Sequence, residues 1–312
     1  MFRSTPPLAA AALWLAACGG DGAARDPAVG VDHAEPEDVA AAEAPEPTRH
    51  LHVWAGDADR ADPDFLAVLD ADPGSPGYGR VVATVPVGRA GTWPHHTEHR
   101  MPESGHLFAN GFMTGETFRF DLTAPGAPRL LGSFAAAAGL TYPHSYERLP
   151  NGNVLATFQG HGERNEDPGG LVELTDAGEV VRSGSAADPA APGALLRPYS
   201  LAIIPDLDRV VVTSYDMGED MGFRGGRRGR TRAVQVWRLS DLSVVATIDL
   251  PSGPGGVGNE QPGEPRLLAD GRAVLVSTFT CGLYRITGLA SGAPGAEFVH
   301  GFDGGGCAVP VV

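Results

Sequence analysis

The chain contains no lysine, so all 23 of its basic residues are arginine, against 38 acidic residues and a formal net charge of −15. That balance excludes a nucleic-acid partner, because phosphate binding needs a basic footprint. The one basic cluster, Arg224, Arg227, Arg228, Arg230 and Arg232, lies in a glycine-rich stretch and reads as a solvated loop, not an anion site. Cysteine is scarce: Cys18, Cys281 and Cys307 are too few for a disulfide-dense scaffold. No stretch beyond Leu51 keeps a 3.6-residue apolar period, and Ala135 to Ala138 is too short before Gly139, which excludes a helical body. Also missing are a Gly-x-Ser-x-Gly elbow, a P-loop and a Cys-x-x-Cys pair. Nucleophilic hydrolysis, nucleotide binding and a zinc ribbon therefore find no support.

The first residues belong to export and not to the fold. Arg3 precedes an apolar run, Leu8 to Ala17, of the length of a secretory core and too short to span a bilayer. It ends in Leu15-Ala16-Ala17-Cys18, which reads as a lipobox with Cys18 lipidated; an ordinary signal peptide is the alternative. Residues 1–18 are thus expected to be a leader, with the chain exported to the periplasmic side of a bacterial membrane and held by lipid alone. Residues 19–48, rich in Ala, Pro, Asp and Glu, are expected to be a disordered acidic tether. With Cys18 taken by lipid, Cys281 and Cys307 are read as two unpaired, buried cysteines in preference to a disulfide.

What is present from Leu51 onward is a series of short runs rich in Val, Leu, Phe and Thr, separated by Gly, Pro, Asp and Asn. They recur as units. One spans Pro94 to Phe134, the next Pro143 to Ser185, a third ends at Leu250, and a fourth closes with Ala296 to Phe302. Each has an inner strand, a turn such as Leu149-Pro150-Asn151-Gly152, and three further strands. That period predicts an all-β chain, a β-propeller of four-stranded antiparallel blades over residues 49–312. About four blades are complete. Phe65 to Val87 reads as only the outer two strands of another, and Cys307 to Val312 would begin an inner strand and then stop, so the propeller is expected to be incomplete.

Histidines recur where the units open: Pro94-His95-His96 in one, Pro143-His144-Ser145 in the next. In a propeller such positions surround one axis, so imidazoles from different blades would converge. Strand alternation puts His95, Thr97 and His99 on one face and His96 on the other, so the pair can share a metal only if the strand begins irregularly at Pro94. The bland alternative is hydrogen bonding to a neighbouring blade. His106 reads as structural, His161 as an exposed loop residue, and His33, His50 and His52 as parts of the tether or its margin. Asp57, Asp59, Asp62 and Asp64 lack the Gly and distal Glu of a calcium loop and read as a solvated acidic loop.

The stretch PDFLAVLDADPGSPGYGRVVATVPV followed by PHHTEH resembles the selenium-binding protein family, which includes methanethiol oxidases, and LPNGNVLATFQG and GGLVELTDAGEVV extend the likeness. The resemblance implies a seven-bladed propeller. For the oxidases it implies a copper site made by histidines and the oxidation of methanethiol with O2 to formaldehyde, hydrogen sulfide and peroxide. By motif, His95, His96 and His144 carry over as metal ligands, with His99 a weaker candidate. Selenium binding is not expected, since no cysteine lies between Cys18 and Cys281. The histidine pattern also stops at Pro198-Tyr199-Ser200 in the third unit. Two readings follow: a membrane-tethered copper oxidase of a small thiol, with thiol and O2 as its partners, or a non-catalytic propeller that binds a small ligand or a partner protein.

Overall fold

In the computed structural model the apolar runs form, among the described residues, twenty strands in five antiparallel sheets, each a meander in chain order. The structure describes residues 49–217, 230–256 and 258–302. The leader, Cys18, the tether, Arg224, Arg227, Arg228 and Cys307 lie outside the described residues.

The first sheet has three strands, β1 (His50–Ala55), β2 (Phe65–Asp70) and β3 (Val81–Pro86). The second holds β4 (Pro94–Thr97), β5 (His106–Gly111), β6 (Glu116–Asp121) and β7 (Arg129–Phe134). The third adds a short β8 (Ala136–Ala137) to β9 (Leu140–Arg148), β10 (Val154–His161), β11 (Gly170–Leu174) and β12 (Val180–Ser185). The fourth holds β13 (Pro198–Ile204), β14 (Arg209–Ser214), β15 (Ala233–Arg238) and β16 (Ser243–Asp249). The fifth holds β17 (Pro262–Leu267), β18 (Val274–Thr278), β19 (Gly282–Thr287) and β20 (Gly295–Gly301).

Burial grades across each sheet as a blade requires. Middle strands such as β10, β11 and β14 are buried nearly throughout, while the outer strands β3, β7 and β12 alternate exposed and half-buried residues. The cores lie between sheets. Leu66 packs with Leu107 and Phe118, Phe108 with Tyr146 and Phe158, Leu155 and Leu171 with Val210 and Trp237, and Val211 and Val236 with Val274 and Tyr284. Each fully buried aliphatic or phenyl side chain contributes about 1.5–3 kcal/mol, so the sheets hold one another in sequence. The fold is an all-β propeller.

One irregularity is repeated on the inner strands of the second to fifth sheets. Pro94 pairs with Gly111 but Thr97 with Ala109; Pro143 pairs with Phe158 but Tyr146 with Ala156. Pro198 pairs with Ser214 but Leu201 with Val212, and Pro262 with Thr278 but Pro265 with Val276. Each of these four strands thus spends three residues where its partner spends two, a β-bulge directly after a proline that cannot donate to the ladder. Backbone amides released by the bulge are caught from the second strand: His96 by Asn110 Oδ1 at 2.6 Å, Ser145 by Thr157 Oγ1 at 2.9 Å and Ser200 by Thr213 Oγ1 at 3.2 Å. Asn110, Thr157 and Thr213 are themselves fully buried, so each bulge is anchored inside its blade.

Several expectations need correction. The stretch ending at Val87 supplies the outer two strands of a sheet that also has β1, whose alternation was hidden among histidines. Trp54 of β1 packs its ring 5.5 Å from Phe118 and 5.7 Å from Phe120. His52 therefore belongs to a strand, with its Nε2 3.0 Å from the Pro125 carbonyl. His161 closes β10 half-buried, its Nδ1 2.9 Å from the Pro168 carbonyl, and is not a loop residue. Asp64 is buried and not solvated: its carboxylate accepts from Thr92 N and Thr92 Oγ1 at 2.6 Å and from Asp57 N at 2.9 Å, which staples the first sheet to the start of the second. Cys281 is disulfide-bonded, contrary to the reading of two free thiols. Arg230 and Arg232 do sit in solvent, paired with Glu260 and Asp249 at 3.3 Å.

Candidate metal centre

The bulges decide which side chains meet. Because β4 spends an extra residue after Pro94, the alternation that would part His95 from His96 is broken, and the two rings lie 4.4 Å apart, edge to face. His144, at the matching place on β9, stands 5.1 Å from His95 and 4.4 Å from His96, centroid to centroid. One ring nitrogen from each of the three falls within 4.8 Å of the others, close enough to share one metal ion. His99, the weaker candidate, is not in this cluster: its exposed ring lies 3.7 Å from Glu264. The positions equivalent to the histidines in the next blades are Tyr199 and Ser200 on β13 and Gly263 and Glu264 on β17. Tyr199 stacks against His144 at 4.2 Å.

All three imidazoles are held neutral. Burial first, then His96, pull His95 down to about 3, even though its outer edge faces solvent. His96 is lowered mainly by burial, with Glu264 opposing. His144, fully buried, is lowered well below the free value by burial and then by His96 and His95. Neutral nitrogens keep the lone pair that a metal needs.

The His144 tautomer follows from its partners. Nδ1 lies 2.7 Å from the Tyr199 carbonyl, which can only accept, so Nδ1 carries the proton and Nε2 the lone pair. A ring nitrogen donating to a backbone carbonyl while the other stays free is the usual outer support of a metal-ligating histidine. The donor set therefore fits a borderline or soft metal.

No family model matches the chain. The methanethiol oxidase of Hyphomicrobium sp is 26% identical over 221 residues, which cover 66% of this chain and 49% of that protein. Selenium-binding protein 2 of Arabidopsis thaliana is 30% identical over 139 residues, 40% of this chain and 28% of that protein. A hypothetical selenium-binding protein of Sulfolobus tokodaii aligns in structure with a TM-score of 0.65 at 16% identity, over 82% of this chain and 61% of its own. The chain is similar in sequence to methanethiol oxidase and to selenium-binding proteins. It spans about half the length of the methanethiol oxidase it matches.

Two residues beside the histidines escaped the reading of the sequence. Glu264, almost enclosed, places Oε1 3.5 Å from His96 Nε2, and its blade-repeat position after Pro262 was the available signal. Met217 places Sδ 3.2 Å from His144 Nε2, and it lies past the end of a strand, where no periodicity points to it.

Proposed function

We propose that the chain is a copper-dependent oxidase of a small thiol, with His95, His96 and His144 as the protein ligands. The observation that carries the reading is the meeting of three neutral imidazoles within 4.8 Å in a chain related to methanethiol oxidase. The reaction that this supports is methanethiol + O2 + H2O to formaldehyde, hydrogen sulfide and hydrogen peroxide. The carbon of the thiol loses two electrons and O2 gains them. Copper supplies the redox step between thiol and O2 that side chains cannot perform. His95 leaves the site open on its solvent side, where a small thiol and O2 can approach, while Phe112 and Tyr199 close the flanks at 5.5 Å from His95 and 5.6 Å from His96. His144 is fixed by its bond to the Tyr199 carbonyl, and His96 by its amide on Asn110. We propose in addition that the chain is exported and lipid-anchored at Cys18, which lets it meet thiol outside the cytoplasm.

The test is elemental analysis of the purified protein beside His95→Ala and a His95→Ala, His144→Ala double variant, with a peroxide-release assay on methanethiol. About one copper per chain, lost in the variants together with thiol-dependent peroxide, is the expected result. A folded protein that takes up no copper on reconstitution sinks the oxidase reading and leaves a propeller that binds without catalysis.

A further inference from the structure

Met217 sits beside the three histidines, and its contact with His144 is electrostatically wrong for a metal-free pair. Nδ1 of His144 faces the Tyr199 carbonyl at 2.7 Å and the Ser145 hydroxyl at 3.1 Å, so the ring proton belongs there. Nε2 is then a bare lone pair, and the atom opposite it at 3.2 Å is a thioether sulfur, which has lone pairs and no hydrogen to give. The opposite tautomer is worse, since it would turn a nitrogen lone pair on a carbonyl oxygen at 2.7 Å. Two acceptors pressed together inside a protein cost energy unless a cation lies within reach of both.

Met217 is not there by chance of a loose loop. It is buried, with Phe112, Tyr199 and Tyr215 packed round it. Its neighbour Asp216 is paired with Arg197 at 3.2 Å, both side chains fully enclosed, and Arg197 also donates to the carbonyls of Gln159 and Asn165 at 3.1 and 2.9 Å. Gln159 Nε2 holds the Tyr215 carbonyl at 3.1 Å. The third and fourth sheets thus clamp the segment that carries the sulfur.

We propose that Met217 Sδ is a fourth, soft ligand of the metal held by His95, His96 and His144, and that it selects cuprous copper over harder divalent ions. The inference rests on the copper reading above and extends it. Thioether sulfur prefers Cu(I), whereas an all-imidazole site holds Zn(II) comparably well.

The experiment is copper-edge X-ray absorption on the Cu(I)-loaded protein and on Met217→Leu, with Cu(I) affinity read by competition against a chromophoric chelator and Zn(II) affinity read in parallel. Leucine conserves the packing volume, so the fold is kept. The wild type should show a sulfur neighbour beside imidazole nitrogens, and Met217→Leu should lose it. Cu(I) affinity should fall about tenfold or more, with Zn(II) affinity changed by less than about threefold. Copper with only nitrogen or oxygen neighbours in the wild type overturns the Met217 ligand and leaves the histidine site standing. Equal loss of Cu(I) and Zn(II) in the variant assigns Met217 to packing and overturns it as well. A wild type that binds no copper overturns this inference and the oxidase reading together.

Discussion

Glu264, on the innermost strand of the fifth sheet, holds Oε1 3.5 Å from Nε2 of His96, on the innermost strand of the second. Burial alone would raise this carboxyl, but the bonds from His99 and from the Ser200 hydroxyl at 2.6 Å, with Arg266 at 3.3 Å, outweigh it and keep Glu264 ionised. An ionised carboxylate there favours the Nε2–H tautomer of His96 and turns Nδ1 toward the other histidines. Glu264→Gln keeps the shape and removes the charge. Its metal affinity should fall about tenfold, the size usual for an outer partner of a ligating histidine. Chelator competition reads the change, and unaltered affinity in a folded variant would show that His96 needs no such partner.

Thr157 performs two bonds for the His144 bulge, accepting from Ser145 N at 2.9 Å and donating to the Tyr199 carbonyl at 2.8 Å. Thr157→Val keeps the volume but strands the Ser145 amide, which costs about 1–3 kcal/mol when buried and unmet, and leaves the Tyr199 carbonyl with His144 Nδ1 as its side-chain donor. Denaturant unfolding should therefore show a loss of about 1–3 kcal/mol. Metal should bind more weakly too, because the same Tyr199 carbonyl fixes the His144 ring. Were stability to fall and metal affinity to stay level, the bulge would be shown to matter for folding alone.

Glu147 gives a pH-dependent prediction away from the histidines. It borders a cavity of about 530 Å³ shared with His99, Arg100 and Arg266. Burial pushes its carboxyl up to about 7, against the opposing bond from Ile203 N at 3.1 Å and the nearby His99, Arg100 and Arg266. Below the free value of 4.5 the folded and unfolded chains are both protonated at this position. Between there and about 7 the unfolded chain releases its proton first, so stability is lost as pH rises, and above about 7 the full cost remains. Glu147→Gln should leave stability at pH ~4 unchanged and raise it at pH ~8 by about 1–2 kcal/mol. A pH-independent difference between variant and wild type would rule the titration out.

The blades were legible because strand alternation and Gly/Pro turns repeat, and His95, His96 and His144 were legible because they share a proline-led motif. The bulge that brings His95 and His96 together was only a condition in the sequence, since register depends on which residue of the partner strand pairs with Thr97. Glu264 and Met217 were missed for a different reason. Glu264, marked only by its place after Pro262, reaches the site across two blades, and Met217 comes from beyond a strand end, where no local pattern points to it. β1 was missed because His50 and His52 alternate with Leu51 and Val53 in a run that burial leaves half exposed.

Contact between blades is close enough for a single methyl group to test it. Gly184 on β12 lies against the next sheet, where a Cβ would come 2.1 Å from the Leu242 carbonyl oxygen and 3.0 Å from the Trp237 ring. The carbonyl is backbone and Trp237 is fully buried, so neither can swing away as the tip of a flexible side chain would. Gly184→Ala must therefore part the third and fourth sheets, and overpacking of this kind costs about 1–3 kcal/mol. The expected result is a fall of at least about 2 kcal/mol in denaturant unfolding, shared by the third and fourth sheets in hydrogen exchange. Exchange that quickens only in β12, with global stability retained, would mean that the outer strand can peel from its neighbour and that the blades are less tightly coupled than the packing of Trp237 implies.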